Sequence, residues 1–172
     1  MHRISKTKKP QIRLLGSGAI LNESIKAAGM LSGYGIESEV WSVTSFNMLR
    51  KDGMEVENEN IKNPSNKVKK SFVAESFKEH DIPTVASTDY MRAYSEQIRP
   101  FISSSYYTLG TDGFGRSDSR AKLREFFEID AKSIVMTAAY ALHKEDKLNK
   151  TELKKIYKEI KVNKNKTSPW NT

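Results

Sequence analysis

Gly110-Thr111-Asp112-Gly113-Phe114-Gly115-Arg116-Ser117-Asp118-Ser119-Arg120 is the stretch on which the reading of this chain turns. Three glycines, two acids and two arginines fall within eleven residues, between a β-type run, Tyr106 to Leu109, and a helix-type run, Ala121 to Phe127. Glycine gives up more backbone entropy on folding than any other residue, so this density points to tight turning or close backbone approach. Two readings stay open. One is a strand-to-helix turn capped by Ser117 or Asp118. The other is a binding or interface loop at the carboxyl end of a strand, the edge where α/β sheets place their sites.

Working outward, strand-like and helix-like segments alternate. Gln11 to Leu15 reads as a strand running into Gly16-Ser17-Gly18, and a helix follows over Ala19 to Leu31. Glu39 to Val43 reads as a strand. Thr44 or Ser45 then caps a short helix, Phe46 to Arg50. Asp52 to Lys67 is polar, carries Pro64 and reads as an irregular surface excursion. Val68 to Lys78 regains helical spacing, Thr84 to Ser87 is a third strand, and Asp89 caps a helix that Pro100 stops. Tyr106 to Leu109 is the fourth strand, and Ser119 to Phe127 the helix after the glycine loop. Ala131 to Leu142 has a period that favours a helix, although Ser133 to Met136 also passes for a strand. Lys150 to Ile160 is the last helix. The alternation implies an open three-layer α/β domain with parallel crossovers.

Composition bounds the function. The chain has 172 residues, no cysteine and a formal net charge of +8. That length buries a real core without staples. The missing cysteines exclude disulfides and thiolate metal sites, and suit a cytoplasmic location. No apolar run is long enough to cross a membrane. Residues 1–10 carry four basic groups and no acid, and residues 144–172 carry nine lysines against four acids. The centre, with 16 basic and 17 acidic groups, is nearly neutral. The domain therefore reads as 11–160, with a basic leader over 1–10 and a polar tail over 161–172, where Pro169-Trp170 is the segment able to dock. A nucleic-acid site needs basic and aromatic residues interleaved on one surface, and no stretch provides that.

Few residues here carry chemistry. Gly16-Ser17-Gly18 is not a dinucleotide fingerprint, because Leu21 stands where the third glycine belongs. His2, His80 and His143 lie at no ligand spacing. Strand ends in one parallel sheet share an edge, so Thr44, Asp89 and Asp112 are expected together there. Gly113 and Gly115 allow the loop to turn, with Phe114 exposed between them. Asp112, Arg116, Asp118 and Arg120 form the dense polar cluster. It reads either as an internal Asp–Arg network that fixes the loop or, with Arg116 and Arg120 on one helical face, as an anion site.

Four segments carry a resemblance: LLGSGAIL at 14–21, YGIESEVWSVTSFNMLRKDG at 34–53, VASTDYMRAYSEQIRPF at 85–101 and YYTLGTDGFGRSDSRAKLREFFEID at 106–130. Together they resemble the C-terminal domain of the homodimeric, transketolase-like pyruvate dehydrogenase E1 component, over roughly residues 11–170. Asp112 to Ser117 is also similar to a D-x-F-G-x-S core of transketolases. The resemblance implies a mixed sheet of about five strands flanked by helices, with the fifth strand at Ser133 to Met136. It implies a whole enzyme that uses thiamine diphosphate and magnesium to decarboxylate pyruvate and passes the acetyl group to lipoyl groups of an E2 acyltransferase. The cofactor motif and catalytic residues of the family belong to its other domains, so none is assigned here. The implied role is structural: stabilising the dimer and meeting the remaining E1 domains or subunit. One departure is Glu59 to Pro64, where the family has a Met-Leu-His-Pro-like stretch. With ten residues before its first strand, the chain reads as a split subunit, a gene remnant or one domain on its own. The alternative from another class is a stand-alone small-molecule-binding or regulatory α/β domain.

Overall fold

The computed structural model describes residues 1–5, 7–64, 67–163 and 165–171. The chain forms five strands: β1 (His2–Arg3), β2 (Ile12–Gly16), β3 (Ser38–Ser42), β4 (Thr84–Ser87) and β5 (Tyr106–Leu109). They form one sheet in the order β1-β3-β2-β4-β5. The last four run parallel, and β1 alone is antiparallel, against β3. Every residue of β2 and β4 is buried, as expected of strands covered on both faces.

Helices cover both faces: α1 (Leu21–Ser32), α2 (Phe46–Lys62), α3 (Phe72–Ser76), α4 (Arg92–Glu96), α5 (Arg120–Phe126), α6 (Ala131–Lys144) and α7 (Lys150–Glu159). On one face Ile12, Leu14, Val40, Val85 and Leu109 pack against α1, α6 and α7. On the other, Leu15, Trp41, Ala86 and Tyr106 pack against Phe46, Leu49 and Val73 of α2 and α3 and against Ile98. The result is the three-layer mixed sheet of five strands that the alternation and the resemblance imply.

The fifth strand is not where the resemblance puts it. Ser133 to Met136 lies inside α6. Asp130 caps that helix, accepting from Ser133 N at 3.0 Å, and Ile134, Val135, Ala138, Ala141 and Leu142 are buried at helical spacing. The periodicity of the segment, which favours a helix, prevails. The fifth strand comes instead from the basic leader, where Ile4 N also donates to Val40 O at 2.7 Å.

Asp52 to Lys67 is likewise not an irregular excursion up to Lys62, because α2 continues that far. Its buried residues, Phe46, Leu49 and Gly53, lie in its first turns. The polar remainder is held by its own polar groups. Asp52 Oδ2 accepts from Phe72 N at 2.7 Å, and the Asn60 amide exchanges two hydrogen bonds of 2.9 Å with the Lys69 backbone. In the tail, Pro169 is buried and begins a single turn of 3₁₀ helix, Pro169–Asn171; the Trp170 side chain lies outside what the structure describes.

Candidate functional site

Parallel register sets the site. Gly16 pairs with both Ser42 and Ser87, and Ser87 pairs with Leu109, so the four strands end level. The loops after them form one edge: Gly16-Ser17-Gly18, Val43-Thr44-Ser45, Thr88-Asp89-Tyr90 and Gly110 to Ser119. Thr44 and Asp89 are exposed there, with β2 between their strands.

The β4 and β5 loops are tied together backbone to backbone. Thr111 N donates to Tyr90 O at 2.9 Å, and Thr111 Oγ1 donates to Asp89 O at 2.9 Å. Gly110 makes this approach possible, since a Cβ there would sit 2.6 Å from Arg92 N and 2.7 Å from Tyr90 O. Asp112 Oδ1 accepts from Arg92 N at 3.0 Å, and its Oδ2 lies 3.4 Å from Arg92 Nε. Asp112 thereby caps α4 from a different loop, a role the sequence suggests for Asp89. Gly18 has φ +56°, and the Asp89 carboxylate lies over it, 3.4 Å from where its Cβ would stand.

The loop departs from the expected Asp112–Arg116 network. Arg116 lies over the ring of Phe126, 4.3 Å from its centroid. The helix starts at Arg120, so Arg116 and Arg120 do not share a helical face. Its cap is Ser119, accepting from Lys122 N at 3.4 Å, rather than Ser117 or Asp118. Asp118 Oδ1 instead accepts from Ser119 N at 2.6 Å and stands 4.0 Å from Lys122 Nζ. Gly113 has φ +106°, in the left-handed region. Gly115 does not, and nothing lies within 4 Å of a Cβ built there. Phe114 is 85 % exposed, and Tyr90, Met91 and Tyr94 are exposed on the loop after β4 and in α4. The Tyr90 and Tyr94 rings pack 5.0 Å apart.

Two charged clusters support this edge, and a third lies at the opposite, amino ends of the strands; all three escaped the sequence reading. Glu23 accepts from Arg124 at 2.9 Å and from Ala131 N at 3.1 Å, joining α1 to α5 and α6. Burial alone would raise its carboxyl, but Lys26, Ala131 N and Arg124 outweigh that and hold it below its ordinary value. Glu96 accepts from Thr108 at 2.6 Å and twice from Arg99, whose bonds hold its carboxyl below the usual range. Under the sheet, Arg13 is fully buried and pairs with Glu39, which also meets Arg3 at 3.0 Å. Burial lowers the Arg13 pKa against the pull of that carboxylate. Of these pairings only Glu96–Arg99 and Glu23–Lys26 are local in sequence, each at a spacing of three, so only those two had a readable spacing.

Residues 1–130 match the model of the transketolase-like TK C-terminal domain. The chain belongs to the transketolase-like TK C-terminal domain family. Within it, the chain is 53% identical over 133 residues to the pyruvate dehydrogenase E1 component of Pseudomonas aeruginosa, covering 76% of this chain and 15% of that protein. It is 42% identical over 167 residues to that of Cupriavidus necator, covering 96% of this chain and 19% of that protein. The Escherichia coli protein of the same name is 40% identical over 163 residues, covering 94% of this chain and 18% of that protein. The chain thus spans under a fifth of the length of these curated relatives. Among solved structures, transketolase from Leishmania mexicana superposes with a TM-score of 0.57 at 16% identity, over 83% of this chain and 18% of that one. A split-gene transketolase, described as an inactive beta4 tetramer, gives 0.55 at 17% identity, over 79% of this chain and 41% of that one. These two likenesses establish the fold, and the family places the glycine loop in a transketolase-like C-terminal domain.

Among the described residues no three His, Cys, Asp or Glu side chains come together as metal ligands. Near the loop, Arg92 is engaged with Asp112 and Arg116 with Phe126. What the edge does present is exposed aromatic rings, Phe114 on the glycine loop and Tyr90 and Tyr94 after β4, on a framework pinned by Gly110 and Asp112. Also among the described residues, no helix is long and apolar enough to cross a membrane.

Proposed function

We propose that this domain acts as a non-catalytic part of a pyruvate dehydrogenase E1 enzyme. Thiamine diphosphate and magnesium are held by other domains of that enzyme, which decarboxylates pyruvate and transfers the acetyl group to lipoyl groups of an acyltransferase partner. This domain stabilises the homodimer and shapes the approach to the active site. Its carboxyl edge, with Thr44, Asp89 and the loop from Asp112 through Gly113, Phe114, Gly115, Arg116 and Asp118 to Arg120, is the surface that meets the remaining E1 domains. The observation that carries the reading is 42% identity across 96% of the chain to a pyruvate dehydrogenase E1 component. The exposed Phe114, Tyr90, Met91 and Tyr94 support the docking role, because several large apolar side chains exposed at one sheet edge suit an interaction site. Pyruvate decarboxylation by the purified 172-residue chain, with thiamine diphosphate and magnesium supplied, tests the reading. No turnover above background is expected. Turnover in a sample free of contaminating enzyme contradicts it.

A further inference from the structure

We propose that residues 113–126 form a hinged flap and that the C-terminal tail is its latch, a device beyond the role assigned above. Burial points to it first. None of residues 113–126, all of them described, is buried, although the segment includes all of α5. Two cavities flank that helix. One, of about 320 Å³, lies between Arg116, Asp118, Lys122 and Phe126. The other, of about 110 Å³, is lined by Glu125, Glu128, Ser133, Ile160 and Lys166. Leu123 and Phe126 of α5 pack against the core only partly buried, and a helix with few fully buried contacts sits at the low end of the local stability range.

The ends of the segment are built as turns. Gly113 has φ +106°, and Glu128, not a glycine, has φ +59°. From Phe127 on the chain is anchored, since Phe127, Ile129 and Ala131 are buried and α6 follows.

What holds the flap down is concentrated at its C-terminal end. The Lys166 ammonium donates to Phe126 O at 2.9 Å and to Glu125 O, and lies 3.4 Å from Glu128 Oε1. It thus adds a donor at the last turn of α5, where Glu125 O also accepts from Glu128 N at 3.3 Å, and its charge suits that end of a helix. Arg124 fixes the same end to Glu23 of α1 at 2.9 Å. The Phe126 whose carbonyl Lys166 holds also carries Arg116 on its ring, so the latch reaches the loop that presents Phe114. The tail is itself seated by the buried Pro169. Lys166 therefore sets how far the flap, and Phe114 with it, departs from the edge of the sheet.

Amide hydrogen exchange read by mass spectrometry on the full chain tests this. Lys166→Gln is expected to speed exchange over residues 120–128 roughly tenfold, the effect of losing a hydrogen bond from a charged donor. Exchange in β2 and β4 stays unchanged. Lys166→Arg, which keeps the charge, restores much of the protection. Glu128→Gln, which leaves Lys166 in place, raises exchange over the same residues by a smaller factor. Unchanged exchange over 120–128 in both Lys166→Gln and Glu128→Gln overturns the proposal. So does an equal rise in β2 and β4, which would make Lys166 a contributor to global stability only.

Discussion

The Asp112 carboxylate caps the backbone amide of Arg92, accepting at 3.0 Å across 20 residues of chain. This one contact joins the glycine loop after β5 to the helix after β4. Removing it leaves the first amide of α4 without its acceptor. Asp112→Ala is expected to cost about 1–2 kcal/mol, as for other lost helix caps. Asp112→Asn, which still accepts, costs less. Urea unfolding of the two variants checks the order. Arg116→Ala, whose side chain rests on Phe126 rather than on Asp112, should change the midpoint little.

The glycines of the loop separate into different classes. Gly110→Ala forces a methyl within 2.7 Å of backbone atoms of Tyr90 and Arg92. Neither can move without breaking the loop pairing, so a loss of several kcal/mol, or failure to fold, is expected. Gly113→Ala meets a positive φ and should cost roughly 1 kcal/mol. Gly115→Ala meets open space and should stay within about 0.5 kcal/mol of the parent. Thermal melts of the three rank them.

The difference among those glycines shows what can be read from the chain alone. Strands β2 to β5 are legible because each is a short apolar run bounded by turn residues. The edge of the sheet follows from their parallel order. Strand β1 is not legible, since His2 and Arg3 have no strand-like character and their pairing with Trp41 and Ser42 is non-local. The outer half of α2 is hidden because its Asn and Glu residues bury little, and its support comes from Lys69 and Phe72 beyond Pro64. Within the site, the density of glycine marks the loop, but not which glycine is needed. Gly110 matters through Tyr90, Gly113 through its φ, and Gly115 through neither. The partner of Asp112 is hidden for the same reason: Arg116 is near in sequence and Arg92 is near in space.

Glu23 makes stability depend on acid. Its folded pKa lies below the ordinary value of 4.5, despite its burial, through Lys26, Ala131 N and Arg124. Its contribution is therefore complete above about pH 4.5 and is lost as pH falls through the folded value. Chemical denaturation from pH 7 down to pH 3 should show a steep acid limb. Glu23→Gln should be less stable at pH 7 and should flatten that limb. Parallel curves for parent and variant would assign the acid limb to other carboxylates.

Arg13 and Glu39 lie buried side by side on β2 and β3. Arg13 also donates to His80 O at 2.9 Å and to Thr84 Oγ1 at 3.2 Å. Arg13→Ala leaves those acceptors unfilled and Glu39 with Arg3 alone. A loss of about 3–5 kcal/mol is expected, as when one member of a buried pair is removed. Replacing Arg3 by Ala, at the partly exposed end of the cluster, should cost less. The denaturation midpoints of the two variants decide.

The claim that this is a docking domain of an E1 enzyme is tested most directly by mixing. The full chain is combined with the thiamine-binding portion of a pyruvate dehydrogenase E1 that lacks its own C-terminal domain, and complex formation is followed by analytical ultracentrifugation. The account predicts a complex with the parent chain. It also predicts a markedly weaker one with Phe114→Ser, a variant whose melting temperature should match the parent because Phe114 is 85 % exposed. No complex with the parent, or equal binding by Phe114→Ser, would contradict it.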